Sequence, residues 1–193
     1  TELGLVPLGF REIQTFPEVL GRAARETAPR IVAVACGRNG FDDQALRRRL
    51  WDFDQKVRFL KKTEPSRALP DEIVSFGPTV TLKVYGTPEQ LFSFYGDEFK
   101  NLNFKASIAI GHNRYATIGD PDWRNPHPFR CSAGNGNANS IARNRNAIRS
   151  NERAVAVREG FPVKILSDGA TDTYDFDRLL LYLTAVKGWP LEE

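Results

Sequence analysis

Methionine is absent from this sequence, and cysteine is scarce, with only two among the 193 residues. Cys36 and Cys131 stand far apart, in no spacing typical of a metal site or a redox pair, and a chain of this length folds without disulfide bonds. We therefore expect a reducing, cytoplasmic setting and no metal ion. Because position 1 is Thr1 and Pro190 stands where a further helix could begin, we also expect an internal piece of a longer chain.

Long apolar runs and an excess of one charge are missing as well. No segment approaches the roughly 20 apolar residues that a membrane-spanning helix needs. The opening residues Thr1–Gly4 show no charged region followed by an apolar one, as a secretion signal would. Lys plus Arg number 27 and Asp plus Glu number 24, so the formal charge is only +3. This small excess favours neither a nucleic-acid nor a membrane partner.

What is present is typical of one globular domain with a sizeable core, because 41% of the residues are hydrophobic and 11% are aromatic. Apolar periodicity predicts helices and strands in a mixed, α+β order, with no internal repeat, so we expect residues 1–193 to form a single domain. The predicted helices are Pro17–Thr27, Asp42 or Asp43 to Leu60, a helix opening at Thr87, Ser140–Arg153, and Tyr174 to a cap at Gly188. The predicted strands are Arg30–Cys36, Ile73–Phe76, Thr79–Tyr85, Ala106–Gly111 and Val163–Leu166.

Four segments carry more specific expectations. The run Arg30–Cys36 predicts a largely buried strand, and residues 61–71 predict a surface loop. Thr87 and Gln90 form a capping-box pattern at the start of a helix that should bury an aromatic face. The second predicted helix has an apolar stripe, which consists of Leu46, Leu50, Phe53, Val57 and Leu60.

A row of arginines marks the helix predicted at Ser140–Arg153 and the residues after it. Nucleic-acid binding is one hypothesis, since clustered arginines contact phosphates. A single basic helix with interspersed asparagines is usually a solvated face, and we expect that here. The row consists of Arg143, Arg145, Arg149, Arg153 and Arg158.

Three polar clusters indicate a possible site. They are His112–Thr117 at the end of one predicted strand, Asn135-Gly136 with Asn139 in a glycine-rich and asparagine-rich loop, and Ser167-Asp168-Gly169 at the end of another strand. Each cluster alone is a weak signal. In this order and spacing, the three resemble the signature of the class II glutamine amidotransferases.

The resemblance extends over nearly the whole chain and looks like the variant of this domain in the large subunit of glutamate synthase. The further segments that carry it are Leu8–Arg11, Ala28–Ile31, Ile73–Ser75, Thr87–Leu91 and Asn144–Asn146. The family fold is the four-layer αββα sandwich of the N-terminal-nucleophile hydrolases. The resemblance therefore implies that residues 1–193 form part of such a sandwich, as an incomplete domain without its N-terminal strand.

In the family, an N-terminal cysteine attacks the side-chain amide of glutamine while its own α-amino group serves as the base. The products of this step are a thioester and ammonia. Because Cys36 and Cys131 carry no free α-amino group, and the segment from Thr1 resembles mid-domain sequence, we expect the nucleophile to lie upstream of this sequence.

The resemblance assigns roles to four of the polar residues. Arg114 would clamp the α-carboxylate of glutamine, because a guanidinium fork matches a carboxylate. Asp168 would pair with the α-ammonium group, and the Asn135 side chain with the Gly136 N–H would form the oxyanion hole. From the residues alone, three other interpretations stay open: a salt bridge for Arg114, a helix cap for Asp168 and a simple turn for Asn135-Gly136.

Further residues match positions around the glutamine pocket. The resemblance implies that Tyr115 walls the pocket and that Thr117 and His127 line it or support its loop. His127 stands between two prolines and is equally compatible with a surface position. We expect Trp123 to pack under or over the pocket loop, with the packing role favoured, and His112 to be a buried, hydrogen-bonded anchor.

The sequence departs from the family pattern in two places. The oxyanion loop of glutamate synthases usually reads His-Asn-Gly-Glu-Ile-Asn, whereas here Gly134 replaces the His and Ala138 replaces the Ile. We expect these small residues to loosen a loop whose donors must be preorganised. Gly169 stands where a hydroxyl residue is usual, which removes one potential hydrogen-bond partner of the substrate.

The resemblance implies a glutaminase domain that hydrolyses glutamine to glutamate and ammonia. The ammonia would serve the conversion of 2-oxoglutarate to glutamate on a synthase domain or subunit. No cofactor is implied in this domain, while FMN and an iron–sulfur cluster on the synthase partner stay open, as does oligomerisation. The altered loop and the missing nucleophile leave one alternative, an inactive amidotransferase-like module that binds an amino acid or a partner protein.

Overall fold

The structure, a computed structural model, is mixed helix and strand in the residues that it describes, in agreement with the α+β expectation. The described residues are 4–75, 79–100, 105–113, 122–125, 127–130, 132, 140–160, 163–167 and 169–190. Their elements in chain order are β1 (Val6–Glu12), a 3₁₀ turn (Pro17–Val19), α1 (Arg22–Glu26), β2 (Val32–Gly37), α2 (Asp43–Thr63), α3 (Pro88–Tyr95), α4 (Asp97–Lys100), α5 (Ile141–Glu159) and α6 (Asp172–Ala185). No helix among these is long and apolar enough to cross a membrane.

By its internal contacts the chain divides into two compact units. The first unit combines residues 1–39 with 82–128, and the second unit combines residues 40–81 with 129–193. The single-domain expectation stays a prediction.

The first unit contains an antiparallel pair of strands, β1 and β2. Val6 lies opposite Gly37 and Glu12 opposite Val32, with an irregularity between Pro7 and Gly9. The strand expected in this part of the chain is confirmed as β2, but its expected burial is wrong, because every residue from Val32 to Cys36 is exposed. Two paired strands satisfy backbone groups yet, within the described residues, cover few of their own apolar side chains.

The core of the first unit is built around the buried residues Leu20, Ala24, Phe94 and Tyr95. The capping box of α3 is confirmed, since Thr87 Oγ1 accepts from the Gln90 amide at 3.3 Å and Gln90 Oε1 accepts from the Thr87 amide at 2.9 Å. The aromatic face of α3 is confirmed by its two buried rings. The helix predicted at Pro17–Thr27 is instead split into the 3₁₀ turn and α1, with extended backbone at Gly21 between them.

In the second unit, α2 packs against α6. The buried core of this unit consists of Trp51, Val155, Val163, Ile165, Leu166, Leu181, Tyr182 and Ala185. The predicted cap of α2 is confirmed, because Asp42 accepts a hydrogen bond from the Ala45 amide at 2.7 Å. The helix runs on to Thr63, so the first residues of the predicted loop at 61–71 are helical.

The buried face of α2 differs from the predicted apolar stripe. Phe53 is 39% exposed, while Asp54 on the next position is only 2% exposed. Apolar periodicity alone predicts that charged residues are exposed, but here the buried Arg178 and the half-buried Arg58 compensate the Asp54 carboxylate, so it can be buried.

Four predicted strands are not strands in the described residues: 73–75, 79–85, 106–111 and 163–166. The last of these runs is nevertheless buried at Val163, Ile165 and Leu166, so its apolar pattern correctly indicated burial. A strand also needs a ladder partner, which an apolar run does not specify. The two helices predicted near the C-terminal end are confirmed as α5 and α6, with α5 extending to Glu159.

Candidate active site

Most of the predicted site residues lie outside the described part of the chain. This applies to Arg114, Tyr115, Thr117, Asn135, Gly136 and Asp168. Their assigned roles therefore stay predictions. The structure does describe His127. It also describes Ser132, three positions before Asn135, and Ser167 and Gly169, on either side of Asp168 in the sequence.

His127 lies in the first unit and stacks on His112. The ring centroids are 4.6 Å apart, with an angle of 25° between the ring planes, and both residues are half-buried. His112 is thus less buried than expected, and the structure does bring together the only two histidines of the chain.

Trp123 lies in the same unit and takes the packing role expected for it. Its ring lies 5.4 Å from the ring of Phe94, and its Nε1 donates to Thr27 Oγ1 at 3.2 Å. These contacts attach the segment after the predicted Arg114 cluster to the core of the first unit.

In the second unit, a buried network of charged side chains connects α2 with α6. Arg178 of α6 donates to Asp54 of α2 through Nη1, and Arg58 Nε donates to the same carboxylate at 3.0 Å. Arg178 is 0% exposed and Asp54 is 2% exposed. Burial favours the neutral form of Asp54, but the surrounding arginines outweigh it and hold the pKa of Asp54 below its ordinary value.

Arg58 also connects Tyr174 and Glu72 to this network. Its Nη2 donates to the Tyr174 hydroxyl at 2.8 Å, and that hydroxyl donates to Glu72 Oε2 at 2.8 Å. Burial and the Glu72 carboxylate raise the pKa of Tyr174, so the phenol keeps its proton and can donate.

The segment leading to Asn135 and Gly136 is joined to this network through Arg130. Its side chain is 4% exposed, and its Nε lies 3.2 Å from Asp177 Oδ2 in α6. Ser132, three positions before Asn135, donates from Oγ to Asp177 Oδ1 at 3.4 Å. A turn is closed by the Phe129 amide, which donates to the Ser132 carbonyl at 2.8 Å.

The segment around Asp168 is held on both sides. Before it, the Ser167 amide donates to Asp175 Oδ1 at 3.0 Å. After it, the Ala170 carbonyl accepts from Arg145 Nη2 at 2.7 Å, and Arg145 Nε donates to Asp175 Oδ2 at 2.6 Å. Asp175 and Arg145 thus hold Ser167 and Ala170, which lie before and after Asp168 in the sequence.

The cap of α6 decides one alternative that the residues had left open. Thr171 is the N-cap, and its Oγ1 accepts from the Tyr174 amide at 3.3 Å. The helix therefore does not need Asp168 as its cap. Gly169 has φ of +72°, in the left-handed region that favours glycine, which gives a backbone reason for the missing hydroxyl residue.

The solvated face predicted for α5 is confirmed for four arginines of the row and is wrong for Arg145, which is half-buried; the exposed ones are Arg143, Arg149, Arg153 and Arg158. Arg145 is engaged with Asp175 and Ala170, as described above, and Arg158 donates from Nη2 to the Tyr182 hydroxyl at 2.9 Å. Two arginines of the row therefore hold α5 against its own unit, because α6 presents a carboxylate and a hydroxyl to them.

Metal ligands were not expected from the sequence. Over the residues that the structure describes, no group of three or more His, Cys, Asp or Glu side chains is arranged to hold an ion. The described carboxylates of the network face arginines instead.

The profile of the family described as "Glutamine amidotransferases class-II" matches residues 1–192. This chain belongs to the class II glutamine amidotransferases.

Relatives of this amidotransferase chain are glutamate synthases. It is 33% identical over 159 residues to "Ferredoxin-dependent glutamate synthase, chloroplastic" of Oryza sativa subsp. japonica, which covers 79% of this chain and 9% of that protein. It is 29% identical over 146 residues to "Glutamate synthase [NADPH] large chain" of Azospirillum brasilense, covering 75% of this chain and 9% of the relative. Identity to "Ferredoxin-dependent glutamate synthase 2" of Synechocystis sp. is 27% over 199 residues, covering 97% and 12%. The chain thus spans only about a tenth of the length of these curated relatives.

The buried network of charged side chains between α2 and α6 was not predicted from the sequence of this amidotransferase. The signal that could have found it is charge within helical apolar repeats: Asp54 and Arg58 flank Val57, and Asp177 with Arg178 interrupts the apolar run of α6. Such charges are buried only when they are paired, and the partners lie far away in sequence.

Proposed function

We propose that this chain is a glutaminase domain of the glutamate synthase type. It hydrolyses glutamine to glutamate and ammonia, and the ammonia is transferred to 2-oxoglutarate on a synthase domain or subunit. The observation that carries the proposal is the family match over residues 1–192, together with glutamate synthases as the relatives.

The proposed substrate contacts follow the chemistry of glutamine. Arg114 binds the α-carboxylate through its guanidinium fork, and Asp168 binds the α-ammonium group. The contacts of Thr171 support the role of Asp168, because they leave the capping of α6 to a different residue. Tyr115, Thr117 and His127 line or support the pocket.

The reaction itself requires a thiol and stabilised negative charge. The sulfur of the N-terminal cysteine, expected upstream of this sequence, attacks the side-chain carbonyl carbon of glutamine. The Asn135 side chain and the Gly136 N–H bind the oxyanion that forms. The carbon–nitrogen bond then breaks, ammonia leaves with the proton taken up by the α-amino base, and water hydrolyses the thioester. None of these steps uses a cofactor, so any FMN or iron–sulfur cluster belongs to the synthase partner in this proposal.

We propose the family sandwich as the architecture that assembles these groups. The mixture of helices and strands in the described residues is compatible with part of a four-layer αββα arrangement. The four layers themselves belong to the proposal.

The deciding experiment measures ammonia release from glutamine by the intact gene product, after its N-terminus has been determined by mass spectrometry. A processed N-terminal cysteine and steady ammonia release are expected, and replacing that cysteine with alanine should abolish the release. A native chain that starts near Thr1 and releases no ammonia overturns the proposal.

The second candidate function is an inactive amidotransferase-like module, favoured by Gly134 and Ala138 in the oxyanion loop. It predicts glutamine binding, measured by calorimetry, without ammonia release. Restoring the bulkier pattern with Gly134→His and Ala138→Ile separates the two functions. The glutaminase hypothesis predicts ammonia release before the change and a higher kcat after it, because the donors become better preorganised, whereas an inactive module releases no ammonia before the change.

A further inference from the structure

Helix α6 carries two buried carboxylates, Asp175 and Asp177, within its first two turns. Asp175 is 2% exposed and Asp177 is 0% exposed. Residues two positions apart on a helix do not face each other, so the two side chains reach different neighbours. Because both residues belong to one helix, the chain segments that they contact are attached to the same helix.

The two carboxylates hold the two sequence segments that lead into the proposed glutamine site. Asp177 accepts from Arg130 and Ser132, which precede Asn135 and Gly136. Asp175 accepts from the Ser167 amide directly before Asp168, and it pairs with Arg145. Neither carboxylate is needed to cap the helix, since Thr171 does that.

We propose that Asp177 and Asp175 are positioning residues of the glutaminase reaction, each acting on a different group. Asp177 sets the segment that carries the oxyanion donors Asn135 and Gly136. Asp175 sets the segment that carries Asp168, the partner of the substrate ammonium group. This inference rests on the proposed function and assigns different positioning roles to two residues of one helix.

The two roles predict different kinetic effects. Oxyanion donors act on charge that exists only in the transition state, so misplacing them lowers kcat and leaves KM nearly constant. The ammonium partner acts on bound glutamine as well as on the transition state, so misplacing it raises KM with kcat largely kept. A purely structural role would move both variants in the same way.

The experiment compares Asp177→Asn with Asp175→Asn in the intact gene product, with glutamine as substrate. Rates are divided by the concentration of active sites, titrated with a glutamine-like diazoketone that alkylates the nucleophile. We expect kcat of Asp177→Asn to fall about 10-fold or more with KM within about twofold. We expect KM of Asp175→Asn to rise about 10-fold with kcat within about twofold. The matched control is Asp172→Asn at the start of the same helix, which should change neither constant.

A double variant tests whether Asp177 acts through the oxyanion loop. In an Asn135→Ala background, Asp177→Asn should lower kcat by no more than about twofold further, because the donor that it positions is already gone. If Asp177→Asn lowers kcat as much in the Asn135→Ala background as it does in the wild-type protein, the inference is overturned. If Asp177→Asn fails to fold, Ser132→Ala decides, since it removes only one bond to Asp177 and should lower kcat alone.

The inference and the proposed function fail in different ways. A wild-type protein that releases no ammonia overturns the proposed function and this inference with it. An active wild-type protein in which Asp177→Asn and Asp175→Asn change kcat and KM alike overturns the inference alone.

Discussion

Arg178 of α6 and Asp54 of α2 form an ion pair in which both side chains are almost fully shielded from solvent. The partners are far apart in sequence, so this pair joins two distant helices within the second unit. Arg58 and Arg130 lie against the same carboxylate. Asp54 thus compensates several buried positive charges at once.

Replacing Asp54 with asparagine should destabilise the second unit strongly. Removing one partner of a buried pair leaves uncompensated charge and costs about 3–5 kcal/mol. The matched control is Asp71→Asn, because Asp71 is 96% exposed and pairs with Lys61 at the surface, where such a pair contributes about 0–1 kcal/mol. Denaturant unfolding of both variants measures the difference.

The acid side of the stability curve should also depend on Asp54. Because its pKa is lower in the folded than in the unfolded protein, its contribution to stability is present above the unfolded pKa and is lost as pH falls through the folded one. The gap between wild type and Asp54→Asn should therefore narrow towards low pH. An unchanged gap would mean that the carboxylate does not stabilise this unit through its charge.

Tyr95 should make stability fall at alkaline pH. Its hydroxyl donates to the Lys83 carbonyl at 2.8 Å, and burial raises the pKa of Tyr95 to about 12. A raised pKa gives stability below the unfolded value that is lost as pH rises through the folded value. From pH 8 to 11, wild type should lose about 1.4 kcal/mol more than Tyr95→Phe. Parallel losses in the two proteins would contradict this.

Variants of Asp168 and Thr171 should show that substrate binding and the capping of α6 depend on different residues. Thr171→Ala removes the N-cap of α6 and should cost about 0.5–2 kcal/mol of stability, with faster hydrogen exchange in the first turn. Asp168→Asn should leave that exchange unchanged and weaken glutamine binding in calorimetry. If Asp168→Asn instead frays the helix and binds glutamine normally, Asp168 is not a ligand.

Arg114→Ala should weaken glutamine binding, because it removes a charged hydrogen-bond pair to the α-carboxylate. The expected loss is about 1.5–3 kcal/mol, or roughly 10- to 150-fold in Kd. Arg114→Lys should recover only part of the affinity, since a single ammonium cannot form the bidentate fork. Arg143→Ala on the exposed side of α5 serves as the control. Binding that stays unchanged in Arg114→Ala removes this residue from the site.

Local features of the fold could be predicted well from the sequence. The caps at Asp42 and Thr87 were predicted because capping depends on a side chain and an amide only a few residues away. No strand was predicted at β1, so its pairing with β2 was not predicted either. Four other predicted strands are not strands in the described residues. Strand pairing depends on partners distant in sequence, which an apolar run does not name.

The candidate site shows the same division between local and distant information. The roles of Arg114, Asn135, Gly136 and Asp168 could be predicted because motif residues keep their order and spacing in the sequence, and these roles stay predictions. The anchors Asp175 and Asp177 carry no such pattern, and their neighbours Arg145 and Arg130 come from separate segments.

The sequence by itself determined the family of this chain, its helices α2, α3, α5 and α6, and the residues proposed to contact glutamine. Only the tertiary structure decided that charged residues of α2 and α6 are buried, that Thr171 rather than Asp168 caps α6, and that one helix holds the segments before Asn135 and Asp168. The physical reason is that a buried charge is stable only beside its partner. Which residues become partners is set by how the chain folds back on itself, and spacing along the sequence does not record it.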